Sequence, residues 1–110
     1  MSERFAEVIQ RLQATIASRK GADPESSYTA KLLGQGSERA AKKFGEEAFE
    51  TALAAAKGDK DETAAESADL IYHWLVLLTS VNCSLDEVAA KLEAREGTSG
   101  LVEKASRPKS

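Results

Sequence analysis

Aromatic residues are scarce in this chain, 5% of 110 positions, and it has one cysteine, one histidine and two prolines. The lone Cys83 excludes an internal disulfide and a cysteine-based zinc cluster, so a reducing, cytoplasmic setting is expected. Long apolar runs are missing too. The longest, Leu70 to Leu78, is about half of the roughly 20 residues a membrane span needs, and it contains His73, so no membrane role is expected. The amino terminus, "MSERFAEVIQRLQ", carries scattered charges and lacks the apolar stretch of a signal peptide. Positive charge is not in excess. The formal net charge is −3 and the pI about 5.2, which argues against nucleic acid as a partner, because that affinity comes from clustered Lys and Arg.

What is present is 42% hydrophobic and 30% charged, with Ala, Leu and Glu frequent. Such content suits one domain whose core is built from small and aliphatic side chains on close-packed helices. The expected class is all-α, with four to five helices.

Phe5, Val8, Ile9, Leu12 and Ile16 recur at helical spacing, which predicts an amphipathic helix over about Ser2 to Arg19. Gly21 and Pro24 in "KGADPESS" break it, and Tyr28 to Leu33 reads as a short helical segment ended by "GQG". Ser37 is the expected N-cap of a long helix running to about Lys57, with Gly58 as its terminator. Asp59, three residues before Glu62, starts the next helix, to about Val81; Ser84 with Glu87 starts another, through about Glu96. Residues 1–96 form the expected domain, and residues 97–110, rich in Gly, Ser and Lys, a partly flexible tail.

The segment "KKFGEEAFE", Lys42 to Glu50, sets three carboxylates beside two lysines inside an apolar-patterned helix. Projected at the α-helical period, Ala41, Phe44, Ala48, Ala52 and Ala55 share the expected core side, with Glu47 on its shoulder and Glu50 about 60° further round. Lys43 falls on the same edge, while Lys42 points elsewhere. In the following helix Glu66, Asp69 and His73 form a stripe beside Leu70, Trp74 and Leu77, and the remainder is apolar too. A helix of that kind is buried on several sides. The pairs Glu47/Glu50 and Glu66/Asp69 each share one helix face. Four carboxylates converging from two packed helices repel unless protonated or neutralised, and a hard divalent cation, Mg²⁺ or Mn²⁺, neutralises them. Lysines beside such a site fit a phosphorylated substrate.

A plainer reading of the same residues is a solvated helix face with pairs such as Lys43 with Glu47. Gly45 counts against it, because a mid-helix glycine costs about 1 kcal/mol relative to alanine and implies a close approach to the backbone. His73 reads as a hydrogen-bonded core or interface residue and Trp74 as core.

"EEAFE" followed by "ESAD" resembles the E-E-x-x-E and E-x-x-D signature of the MazG-like all-α nucleotide pyrophosphatases. Four segments in order, "SYTAKLL", "KKFGEEAFE", "ESADLIYHWLVLL" and "REGTSGLVEKASR", are similar to the phosphoribosyl-ATP pyrophosphatase family within that superfamily, over about Tyr28 to Arg107. The resemblance implies Mg²⁺-dependent hydrolysis of phosphoribosyl-ATP to phosphoribosyl-AMP and pyrophosphate, the second step of histidine biosynthesis. It implies metal binding by Glu47, Glu50, Glu66 and Asp69, with Glu46 orienting water or supporting the ligands and Glu46 or Glu50 taking the proton. Lys31, Lys42 and Lys43 are the implied phosphate contacts, Lys43 favoured because it shares the acidic edge, while Tyr28 and Ser27 orient the substrate and Lys104 and Arg107 close over it. His73 is implied as a hydrogen-bond support for an acidic ligand.

Family members form dimers whose helices combine into bundles. A homodimer is therefore expected, burying the outer side of Ile71, Leu75 and Leu78. With one cysteine and one histidine, the chain is expected to lack the zinc-dependent cyclohydrolase fused to this activity in some relatives. Two other readings stay open: a MazG-like pyrophosphatase acting on another nucleoside triphosphate, and a non-enzymatic helical module whose acidic face binds a basic partner.

Overall fold

The computed structural model describes residues 2–97. Five helices, α1 (Ser2–Ser18), α2 (Tyr28–Gly34), α3 (Ser37–Ala56), α4 (Lys60–Ser80) and α5 (Leu85–Glu93), account for all the regular structure among these residues, so the class is all-α. The part of the expected tail after Gly97, with Lys104 and Arg107, lies outside them.

Helix starts follow local chemistry. Asp59 accepts a hydrogen bond from the Glu62 amide at 2.9 Å, and Ser84 forms a full capping box with Glu87, so two otherwise unpaired donors are satisfied at the start of α5. Ser27 caps α2 in the same way, accepting from the Ala30 amide at 3.1 Å. Ser37, expected as a cap, is instead the first residue of α3. Gly36 occupies the cap position at φ 91°, a conformation that reverses the chain between α2 and α3 and that a serine reaches only with strain. At the other end of α3, Gly58 at φ 78° and the bonds from Gly58 to Ala55 and from Asp59 to Ala54 make a Schellman closure. The three-residue connection that results turns α3 and α4 into an antiparallel hairpin, the dominant packing of the chain.

The core gathers on the second half of α4. Leu75, Val76 and Leu78 pack with Ile16 of α1, Leu32 of α2 and Ala40 of α3, and Leu85 and Val88 of α5 close one side. Leu75 and Val76 are wholly buried, and each such side chain contributes roughly 1.5–3 kcal/mol relative to exposure. This corrects the expectation that Leu75 and Leu78 await a partner chain: α1, α2 and α5 cover them within the monomer, and only Ile71 is partly open. Uncovered apolar surface lies elsewhere, on Phe5 and Val8 of α1, Phe49 and Leu53 of α3, Val81 after α4 and Leu92 of α5.

Candidate active site

Antiparallel pairing about a tight turn brings together residues equally far from it. Glu47 and Asp69 each lie eleven residues from Gly58, Glu50 and Glu66 each eight, and Lys43 and His73 each fifteen. The hairpin thus stacks an acid–acid, an acid–acid and a lysine–histidine level along one seam.

The rotation of α3 differs from the projected one. Ala40 and Ala54 are its buried residues, whereas Ala41, Ala52 and Ala55, expected on the core side, are exposed. Glu47 therefore lies in the seam between the two helices rather than on its shoulder. An alanine-rich helix has little amphipathic contrast to set its rotation; two small side chains at Ala40 and Ala54 let α4 approach closely, and that contact decides it.

One oxygen from each of Glu47, Glu66 and Asp69 lies within 4.8 Å of the others, the one grouping of this kind among the described residues. Glu50 stands outside that triangle but close enough to raise the proton affinity of both Glu47 and Glu66. Burial and then Glu50, Glu47 and Asp69 push the Glu66 carboxyl from 4.5 up to about 6. Glu47 is raised as well, by burial first and then by Glu50 and Asp69, against a hydrogen bond with Glu66 that lowers it. Oε2 of Glu47 and Oε2 of Glu66 are buried without a hydrogen-bond partner. Ionised carboxylates accept only and cannot satisfy each other, so the cluster at neutral pH calls for a proton or a cation among its oxygens. The donor set fits a cation. Three carboxylate oxygens gathered within 4.8 Å of one another are the hard, anionic ligands that a divalent cation such as Mg²⁺ takes.

Around this cluster the other expected residues divide. Lys43, half-buried, pairs with Glu46 at 3.4 Å and not with Glu47, because Glu47 turns into the seam while Glu46 stays exposed. His73 is 7% exposed; burial and Lys43 hold it below its ordinary 6.5 against Asp69 and Glu46, so it is neutral at pH 7. Tyr28 and Lys31 are exposed on α2, and Ser27 is engaged as that helix's cap. Gly45 has open space where a side chain would go, so no other part of the described chain accounts for it. The sequence reading missed a hydroxyl pair, Thr29 with Tyr72, which joins α2 to α4 at 2.5 Å. Forty-three residues separate the two, and no local pattern announces it.

Fold and site together define a class: an all-α protein whose two longest helices form a hairpin with a carboxylate cluster in its seam and a lysine beside it. Comparison with known proteins narrows this further. The sequence model of the family described as "Phosphoribosyl-ATP pyrophosphohydrolase" matches residues 9–96. A protein of Caulobacter vibrioides named "Phosphoribosyl-ATP pyrophosphatase" is 63% identical over 107 residues, covering 97% of this chain and 99% of the relative. Proteins of the same name from Dinoroseobacter shibae and Cereibacter sphaeroides are 58% and 56% identical over 100 residues, covering 91% of this chain and 98% and 97% of theirs. The chain belongs to the phosphoribosyl-ATP pyrophosphohydrolase family.

Proposed function

We infer that the chain hydrolyses phosphoribosyl-ATP to phosphoribosyl-AMP and pyrophosphate in histidine biosynthesis, and that Glu47, Glu66 and Asp69, with Glu50 beside them, hold Mg²⁺ or Mn²⁺. The observation that carries the metal assignment is the pair of buried, unpartnered carboxylate oxygens at the meeting point of α3 and α4. When bound, the ion supplies positive charge against the phosphate oxygens and the departing pyrophosphate.

The protein's own groups do the rest. Water attacks the α-phosphorus, a bond forms from its oxygen, and the bond from that phosphorus to the α,β-bridging oxygen breaks. Glu50 takes the proton of the attacking water: it adjoins Glu47 and Glu66 without belonging to the close triangle of oxygens. Glu46 holds Lys43 in place, and the Lys43 ammonium binds the phosphates from the neighbouring turn. Lys31 and Tyr28 on α2 contact the far side of the nucleotide, and Lys104 and Arg107 complete the phosphate contacts.

The working unit in this reading is a homodimer in the cytoplasm, acting without nucleic acid or membrane. Phe49 and Leu53 give α3 an exposed apolar face, and Phe44, Leu70, Ile71 and Trp74 line a shallow apolar pocket of ≈ 230 Å³; both suit burial by a second copy. None of the helices among the described residues is long and apolar enough to cross a membrane.

The test is pyrophosphate release from phosphoribosyl-ATP, ATP, dCTP and dUTP, each with Mg²⁺, with Mn²⁺ and with chelator. Metal-dependent release from phosphoribosyl-ATP alone is expected. Preference for a simple triphosphate would overturn the substrate, and release undiminished by chelator would overturn the metal.

A further inference from the structure

The short helix α2 has seven residues, too few to hold its shape alone, so its place depends on what it touches. Ala30 and Leu32 are buried beneath it, but apolar contact is non-directional and leaves a short helix free to rotate or slide. Direction comes from the hydroxyl pair. Thr29 Oγ1 and Tyr72 Oη lie 2.5 Å apart in a part-buried setting, and a hydrogen bond is sensitive to both distance and angle. The Tyr72 ring is itself held, edge to face against His73 with centroids 5.0 Å apart.

Tyr72 stands one turn beyond Asp69 on α4, and Thr29 lies between Tyr28 and Ala30 at the start of α2. Tyr28 and Lys31, three apart, share a face of α2 that the core does not cover. The bond therefore joins the helix carrying Tyr28 and Lys31 to the helix carrying two of the clustered carboxylates.

We propose that Tyr72 and Thr29 are positioning residues: their hydroxyl pair sets Tyr28 and Lys31 at a fixed distance from the carboxylates, and so governs how tightly the nucleotide is held rather than how fast it is cleaved. The inference rests on the hydrolase reading above. It assigns neither residue any contact with the reacting atoms.

The experiment is steady-state kinetics of the full chain with phosphoribosyl-ATP and Mg²⁺, alongside thermal melts. The variants are Tyr72→Phe, Thr29→Val, their double variant and Thr29→Ser. Each single variant is expected to raise KM about tenfold, the loss of one well-placed hydrogen bond, with kcat within about twofold of wild type. The double variant should be no worse than either single one, since both remove the same bond. Thr29→Ser, which keeps the hydroxyl, should stay near the wild-type KM even if its melting temperature drops. An unchanged KM in Tyr72→Phe and Thr29→Val, whatever their melting temperatures, would reduce the pair to a structural bond and overturn the proposal. Additive effects in the double variant would overturn it too. A wild-type chain that releases no pyrophosphate from phosphoribosyl-ATP is a different result: it removes the hydrolase reading, and this inference falls with it.

Discussion

The two halves of α4 share one hydrogen-bond ladder and almost nothing else. From Leu70 onward the helix is packed on several sides, and His73, Leu75, Val76, Leu78 and Thr79 are buried. From Lys60 to Asp69 it lies against α3, and no side chain is fully buried. In the packed half Thr79 donates to the Leu75 carbonyl at 2.8 Å and receives the Gln13 amide at 3.4 Å, and Ser80 donates to the Leu77 carbonyl at 2.7 Å. In the open half Glu66 keeps a buried oxygen with no partner. The contrast teaches that stability and chemistry are divided along one helix. Repelling carboxylates can be held together because the neighbouring turns supply the cohesion that this cluster lacks.

The strongest way to break that division is to cut into the packed half. Leu75→Ala should cost about 2–5 kcal/mol in urea denaturation, since a wholly buried leucine leaves a cavity that its neighbours refill only in part. A loss under about 1 kcal/mol would mean that the core is not centred there. The complementary cut is Glu66→Gln. It should lower kcat/KM by about a hundredfold or more, yet leave the metal-free melting temperature unchanged or raised, because one repelling charge is gone. A variant that melts early and retains its turnover would reverse the assignment of the two halves.

Acidity sharpens the comparison more gently. The folded Glu66 carboxyl binds its proton up to about 6, above its ordinary 4.5, so the folded state holds more protons than the unfolded state between those values. Stability from this group is full below about 4.5 and is lost as pH rises through about 6. With chelator present, the melting temperature should therefore decline across that window, and Glu66→Gln should flatten the decline. The smallest effect belongs to α3. Gly45→Ala should stabilise the chain by about 0.5–1 kcal/mol if its surroundings are as open as they are within one chain. Destabilisation together with a shift in mass by sedimentation would place a partner helix against that glycine.

Much of this was legible in the residues in order. Asp59, Ser84 and Glu87 announce their helix starts because a cap is a contact within four residues, and the acids stand out because "EEAFE" and "ESAD" are dense and regularly spaced. The rotation of α3 was not legible. Its alanines offer nearly equal apolar faces, so Ala41, Ala52 and Ala55 projected as core where Ala40 and Ala54 are the buried ones, and Lys43, which projected onto the edge of Glu47, has its ion pair with Glu46. The symmetric spacing of Glu47, Glu50, Glu66 and Asp69 about Gly58 is a signal in the sequence that would have placed all four in one seam.

By itself, then, the sequence determined the all-α class, the helix boundaries to within a few residues and the grouping of acids on two helices. Those depend on contacts between near neighbours in the chain, where residue type and spacing are enough. Only the tertiary structure decided which side of α3 meets α4, that Leu75 and Leu78 are covered within one chain, and that Thr29 and Tyr72 meet. Those follow from close packing between distant segments, where a helix turns to whichever face buries the most surface with the fewest unpaired polar groups.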